Sequence, residues 1–215
     1  MCPDLFDDLP RDELEPLADG AVVLRGYARE RAAQLLLDVA AVSAQAPFRH
    51  LITPGGKRMS VAMSNCGPLG WVSDTRGYRY DACDPLSQQP WPALPASFAQ
   101  LATDAAQRAG YASLHPDACL VNRYAPGARL TLHQDRDERD VRAPIVSVSL
   151  GLPATFVFGG FTRSGPSRRV RLTHGDVVVW GGASRLAYHG VLPLAEGEHP
   201  ATGAFRYNLT FRKVF

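Results

Sequence analysis

The order of apolar and polar residues divides the chain into a helical front and a strand-rich back. Residues 28–45 set Leu35, Leu36, Val39 and Val42 at helical spacing, which predicts an amphipathic helix. A second helix is predicted over 95–109: Pro95 suits its first turn, Phe98, Leu101, Ala102, Ala105 and Ala109 make one face, and Gly110 suits its end. Ahead of both, Ala21 to Leu24 reads as a short strand, and residues 1 to about 20, acidic and Pro-containing, read as a loosely packed leader. From Pro47 to Pro95 turns dominate. A strand over Arg58 to Ser64 alternates Met59, Val61 and Met63 with smaller or polar residues, and turn signals at Gly67-Pro68 and Arg76-Gly77 flank Trp71, Tyr78 and Tyr80. These aromatics suit a small local core and a binding lid equally well.

After Gly110 the period becomes two. Segments 118–124, 129–135, 144–150, 154–158, 168–173, 176–180, 187–191 and 205–211 read as short strands broken by Gly and Pro. Such a series predicts an α+β, mainly β fold, a double-sheet jelly roll with the two helices packed on an outer face. No internal repeat or low-complexity linker interrupts it.

Composition adds limits. The 215 residues suffice for one domain with a sizeable core or two small ones. No apolar run approaches the ~20 residues of a membrane span. Met1 to Asp8 is acidic and lacks a basic-then-apolar signal pattern. The expectation is a cytoplasmic protein with no membrane partner. Cys2, Cys66, Cys83 and Cys119 are scattered without a C-x-x-C pair, which predicts free thiols. The net charge is +2, and arginine carries nearly all the positive charge, since Lys57 and Lys213 are the only lysines. That balance suits contact with a short nucleic-acid segment better than the coating of a long duplex.

The candidate chemistry begins at His133-Gln134-Asp135. Residues two apart in a strand share a face, so one strand aims an imidazole and a carboxylate at one point. A second histidine completes a two-histidine, one-carboxylate face. His174-Gly175-Asp176 competes, but its glycine and the apolar run behind it read as a turn with a capping aspartate. His199 lies in a polar loop beside Pro200. His189, within the apolar run Leu186 to Val191, is the better third ligand. Such a set holds Fe(II) or zinc. The last strand favours iron. Alternation puts Arg206, Asn208, Thr210 and Arg212 on one face, with Phe205, Tyr207, Leu209 and Phe211 on the other. Two arginines with neutral hydrogen-bonding groups and no acid suit a dicarboxylate. Asn122 and Tyr124 share a strand face and add hydrogen bonds. A metal triad beside a dicarboxylate site points to Fe(II) with 2-oxoglutarate and O2.

These residues lie in runs that resemble the AlkB family of Fe(II)/2-oxoglutarate-dependent nucleic-acid dealkylases. The runs include Met59 to Met63, Asn65 to Gly67, Pro116 to Cys119, Asn122 to Gly127, Leu132 to Asp135, Ala143 to Pro153, His174 to Gly182 and Arg206 to Arg212. They extend from about residue 58 to the C-terminus. The resemblance implies a double-stranded β-helix over about 115–215, a nucleotide-recognition lid over about 47–90, and one domain over 1–215. It implies iron ligands His133, Asp135 and His189. It sets 2-oxoglutarate against Asn122, Tyr124, Arg206, Asn208, Thr210 and Arg212, with Arg206 at the distal carboxylate. The damaged base stacks between Trp71 and His133, with Tyr78, Asp137, Arg163 and Met63 nearby and Thr53 and Tyr80 toward the nucleic-acid backbone. The implied reaction is oxidative demethylation of bases such as 1-methyladenine and 3-methylcytosine in single-stranded DNA, with RNA as an open alternative. It releases formaldehyde, succinate and carbon dioxide from a monomeric enzyme. The segments Val72 to Arg76 and Thr162 to Arg169 depart from the family pattern, which bears on substrate preference.

Overall fold

A computed structural model describes residues 13–112 and 114–215. Two antiparallel sheets form its centre. The larger has seven strands in the order β1 (Leu14–Ala18), β2 (Ala21–Leu24), β11 (Val177–Trp180), β8 (Ile145–Gly151), β13 (Arg206–Arg212), β6 (Ala118–Tyr124) and β3 (Ala62–Cys66). The smaller has four, in the order β10 (Ser167–Leu172), β9 (Ala154–Gly159), β12 (His189–Val191) and β7 (Leu130–His133). A separate hairpin pairs β4 (Gly70–Asp74) with β5 (Gly77–Asp81).

Alternation along the strands sorts the side chains into two cores. On β11, Val177 and Val179 join helices α1 (Ala32–Gln45) and α2 (Ala96–Arg108), while Val178 and Trp180 face the other way. On β13, Leu209 and Phe211 likewise meet the helices. Leu35, Val39 and Val42 of α1 and Phe98 and Leu101 of α2 are fully or nearly fully buried there. Each such side chain contributes about 1.5–3 kcal/mol on removal from water. The second core, with Leu120, Ile145, Phe156, Phe158, Val178 and Trp180, draws on both sheets and so lies between them.

The predicted strands are present with shifted ends. The first helix starts at Ala32, not 28, because Ala28 instead donates its backbone N–H to Gly175 O and Arg29 closes a turn onto Gly26 O. The predicted leader is corrected in part. Residues 1–12 lie outside the described residues, but Leu14–Ala18 is a strand that pairs with β2 and extends the large sheet. The strand expected over Arg58 to Ser64 begins only at Ala62. Met59 meets Leu51 through one backbone hydrogen bond, and Arg58 forms an isolated bridge with Ile52. Three strands from outside 115–215 therefore belong to the same large sheet. Cys66, Cys83 and Cys119 are free thiols, and Cys2 is outside the described residues. Among the described residues no helix is long and apolar enough to cross a membrane.

Candidate active site

Strands β7 and β12 run antiparallel with His133 directly opposite His189, so the two imidazoles meet with ring centroids 4.4 Å apart. Gly190 permits this approach, since a Cβ there would lie 2.7 Å from Leu130 O. Asp135 lies two residues beyond His133, just past the end of β7, and still turns to the same point. One ligand atom from each of His133, Asp135 and His189 falls within 4.8 Å of the others. The Nε2 atoms of His133 and His189 lie 3.7 and 3.8 Å from the two Asp135 carboxylate oxygens.

The tautomers suit metal binding. His133 Nδ1 donates to Thr131 O at 2.9 Å and His189 Nδ1 to Ala187 O at 3.0 Å. A carbonyl only accepts, so the proton sits on Nδ1 and the Nε2 lone pair points into the site. Burial, together with His133, pushes His189 down to about 4 despite Asp135, which keeps the ring neutral. Burial alone would raise the Asp135 carboxyl. The Arg212 guanidinium, with both histidines, outweighs it and holds that carboxyl well below the usual range. Arg212 donates through Nε and Nη2 to Asp135 Oδ2 at 3.0 and 2.7 Å.

Beside the triad lies a polar wall built from three neighbouring strands of the large sheet. Asn122 and Tyr124 from β6 pair in register with Asn208 and Arg206 of β13. Ser147 and Ser149 of β8 lie opposite Thr210 and Asn208 on the other side of β13. Asn208 Nδ2 donates to Ser147 Oγ at 2.8 Å, Thr210 donates to Asn208 Oδ1 at 2.9 Å, and Asn122 Nδ2 donates to the same oxygen at 3.2 Å. Arg206 is 1% exposed and donates to Ser149 Oγ at 3.0 Å, with its guanidinium over the Tyr124 ring. Its Nε and Nη1 have no hydrogen-bond partner, and neither has Asn122 Oδ1. A buried cation with two idle donors is costly unless an anion completes it. Those donors match a carboxylate, so the wall fits 2-oxoglutarate as the triad fits iron.

Triad and wall line one cavity of about 750 Å³, together with Thr53, Met63, Trp71, Tyr78, Asp137 and Arg163. Trp71 stacks on Tyr78, centroids 5.5 Å apart and planes 14° from parallel, and donates Nε1–H to Asp137 Oδ2 at 2.9 Å. Asn65, buried on β3, fixes Trp71 by two hydrogen bonds of 3.0 Å to its backbone. These aromatics line the cavity, although Trp71 also packs against the core between the sheets. Among the described residues Trp71 has its ring partner in Tyr78 and not in His133. Thr53 accepts from Lys57 N at 3.1 Å, and Arg163 lies over the Tyr188 ring. Tyr80, expected toward the nucleic-acid backbone, is not among the residues that line the cavity. It lies across the β4–β5 pair from Trp71 and donates its hydroxyl to buried Glu138.

The sequence reading missed four polar residues here. Ser147 and Ser149 were visible as alternate serines in an otherwise apolar strand, Ile145 to Leu150. Glu138 and Arg185, joined at 3.1 Å and both almost fully buried, sit outside the strands, where alternation gives no signal. His174-Gly-Asp176 is the predicted turn. Gly175 has φ +88°, and Asp176 accepts from Thr173 N and Gly26 N at 2.8 Å each.

Comparison with known proteins agrees with this geometry. The family model for the 2OG-Fe(II) oxygenase superfamily matches residues 20–212. The chain is 63% identical over 212 residues to the alpha-ketoglutarate-dependent dioxygenase AlkB of Salmonella typhimurium, covering 98% of this chain and 97% of that one. It is 60% identical over 211 residues to AlkB of Escherichia coli, with the same coverage. The solved structure of OsALKBH1 matches with a TM-score of 0.83 at 28% identity, covering 94% of this chain and 100% of that chain. Fold, site and sequence agree, and the chain belongs to the AlkB family of the 2OG-Fe(II) oxygenase superfamily.

Proposed function

We propose that this 2-oxoglutarate-dependent dioxygenase demethylates N-alkylated bases of the 1-methyladenine and 3-methylcytosine type in single-stranded DNA, with RNA as a second substrate. Its reaction requires Fe(II), 2-oxoglutarate and O2. The observation that carries the reading is the triad and the half-satisfied Arg206 in one cavity with Trp71 and Tyr78.

His133 and His189 would offer Nε2, and Asp135 a carboxylate oxygen, to Fe(II). Arg206 holds the distal carboxylate of 2-oxoglutarate. Asn122, Tyr124, Asn208 and Thr210 orient its chain, and Arg212 serves its metal-proximal end while fixing Asp135. The bound iron with O2 supplies the oxidation of the N-methyl group, which leaves as formaldehyde while 2-oxoglutarate yields succinate and carbon dioxide.

The base enters between Trp71 and His133, with Tyr78 and Met63 alongside. Both lesion types are cationic, which suits the Asp137 carboxylate and an aromatic face. Their alkylated edge cannot pair, so flipping them from a stack costs little. Lys57, Arg58, Arg129, Arg136 and Arg163 line the cavity and are exposed, a cationic rim suited to phosphates, with Thr53 among them. Residues 47–90 act as the recognition lid of a single cytoplasmic domain that works as a monomer.

The test is formaldehyde release from a single-stranded oligonucleotide bearing one 3-methylcytosine, with His133→Ala alongside. Stoichiometric formaldehyde with restored cytosine, lost in the variant, is the expected result. Turnover of 2-oxoglutarate with no base repaired would overturn the substrate assignment alone. Tight oligonucleotide binding with no turnover would indicate a non-enzymatic binder.

A further inference from the structure

Glu138 is a buried carboxylate that the reaction as described does not use, and it sits where two arginines meet. Its Oε2 accepts from Arg185 Nη2 at 3.1 Å, and its Oε1 lies 3.3 Å from Arg212 Nε. Both arginines go on to hold Asp135. Arg212 takes the side chain through Oδ2, while Arg185 Nη1 donates to the Asp135 backbone carbonyl at 2.7 Å. Arg185 is fastened a third time, through Nε to Ala143 O at 3.0 Å. The carboxylate of Asp135 thus keeps one orientation, with Oδ2 bound to Arg212 and Oδ1 turned to His133 Nε2.

The hairpin enters the same network. Tyr80 of β5 donates its hydroxyl to Glu138 Oε1, while its cross-strand neighbour Trp71 donates to Asp137. Residues 137 and 138 follow the triad carboxylate within three positions. The two hydrogen bonds therefore tie the hairpin to the segment that carries Asp135.

We propose that Glu138 is a positioning residue for the metal centre: through Arg212 and Arg185 it fixes the Asp135 carboxylate, and through Tyr80 it makes that orientation depend on the hairpin. The proposal rests on the metal assignment to His133, Asp135 and His189. Groups that orient a metal ligand change affinity by about 10–100-fold when removed.

The test is anaerobic titration with Co(II), read from its visible ligand-field absorption, on the full chain with 2-oxoglutarate present. Melting of the metal-free form is followed in parallel. Glu138→Gln is expected to weaken Co(II) binding by about 10–100-fold and to alter the ligand-field spectrum at saturation, which lost stability alone would not do. Tyr80→Phe removes one hydroxyl and is expected to weaken binding in the same direction by a smaller factor. In the double variant the Tyr80 change should have no further effect. A folded Glu138→Gln with wild-type affinity and spectrum overturns the proposal. Should that variant not fold, Tyr80→Phe decides, and unchanged affinity there overturns it. Identical Co(II) binding by wild type and His133→Ala would overturn the metal assignment itself, an outcome separate from either.

Discussion

Trp71 and Asp137, which both line the cavity, are joined by one hydrogen bond, indole Nε1 to carboxylate Oδ2 at 2.9 Å. The pair holds a stacking surface and an anion at a fixed spacing. Trp71→Ala removes both the surface and the tether. Base–aromatic stacking is worth about 1–3 kcal/mol, so KM for a methylated oligonucleotide should rise roughly 5–150-fold. Decarboxylation of 2-oxoglutarate without nucleic acid should stay near wild type. Steady-state kinetics with both readouts checks this, and a parallel loss of the two would contradict it.

Arg206 makes the opposite trade. Its buried guanidinium has idle donors, and burial lowers its hold on the proton. Replacing even paired buried ionic groups by apolar ones of similar volume is often neutral or stabilising, by about 1–4 kcal/mol, and Arg206 has no ionic partner among the described residues. Arg206→Met should therefore raise the melting temperature of the ligand-free protein while it loses 2-oxoglutarate affinity. Charged hydrogen bonds of about 1.5–3 kcal/mol each set that loss at tenfold or more. Calorimetry and 2-oxoglutarate titration of the same preparation decide it.

Within the triad the stability costs should separate. Asp135→Ala removes both hydrogen bonds of buried Arg212 to Oδ2, leaving it Glu138 as its carboxylate neighbour, and should destabilise the metal-free protein by about 3 kcal/mol. His133 is 36% exposed at its side chain, and His133→Ala should cost under about 1 kcal/mol. Both variants should lose metal binding. Urea unfolding of the two, metal-free, against metal titration makes the comparison.

Alkaline pH should act through Tyr124. Burial pushes its phenol up to about 12 despite the adjacent Arg206, from 10.0 in an open chain. The folded value is the higher, so this stabilisation is full below pH 10.0 and is lost as pH rises to about 12. Each unit corresponds to about 1.4 kcal/mol, so the loss is roughly 2–3 kcal/mol. Tyr124→Phe should flatten the fall in urea midpoint over that range. Some fall should persist, since burial also raises Tyr80 and Tyr111.

The parts of the site legible in the sequence are those governed by a period. Alternation on β13 separated Arg206, Asn208, Thr210 and Arg212 from Tyr207, Leu209 and Phe211, and the structure buries the two sets in different places. His133 and Asp135 followed the same rule, although β7 ends at His133 and Asp135 reaches the site from beyond it. The rule has no reach into irregular segments. Arg185 follows a single 3-10 turn and Glu138 a stretch without regular structure, and each finds its partners only through long-range folding. Tyr80 shows the limit from another side. Its place on a hairpin was legible, but whether its hydroxyl met nucleic acid or Glu138 depended on a residue 58 positions away.

The position of β13 in its sheet bears on how the protein is made. This strand lies between β8 and β6 and bonds both along its length, yet it is the last strand in chain order among the described residues. A ribosome that has completed everything before Arg206 has made all three triad residues but neither arginine of the polar wall. Until β13 inserts, β6 and β8 are not bridged, and the cavity lacks the middle strand of its polar wall. On the proposed assignment, the nascent chain would have its metal ligands in place before the residues that hold 2-oxoglutarate, and the site would be completed only when β13 inserts.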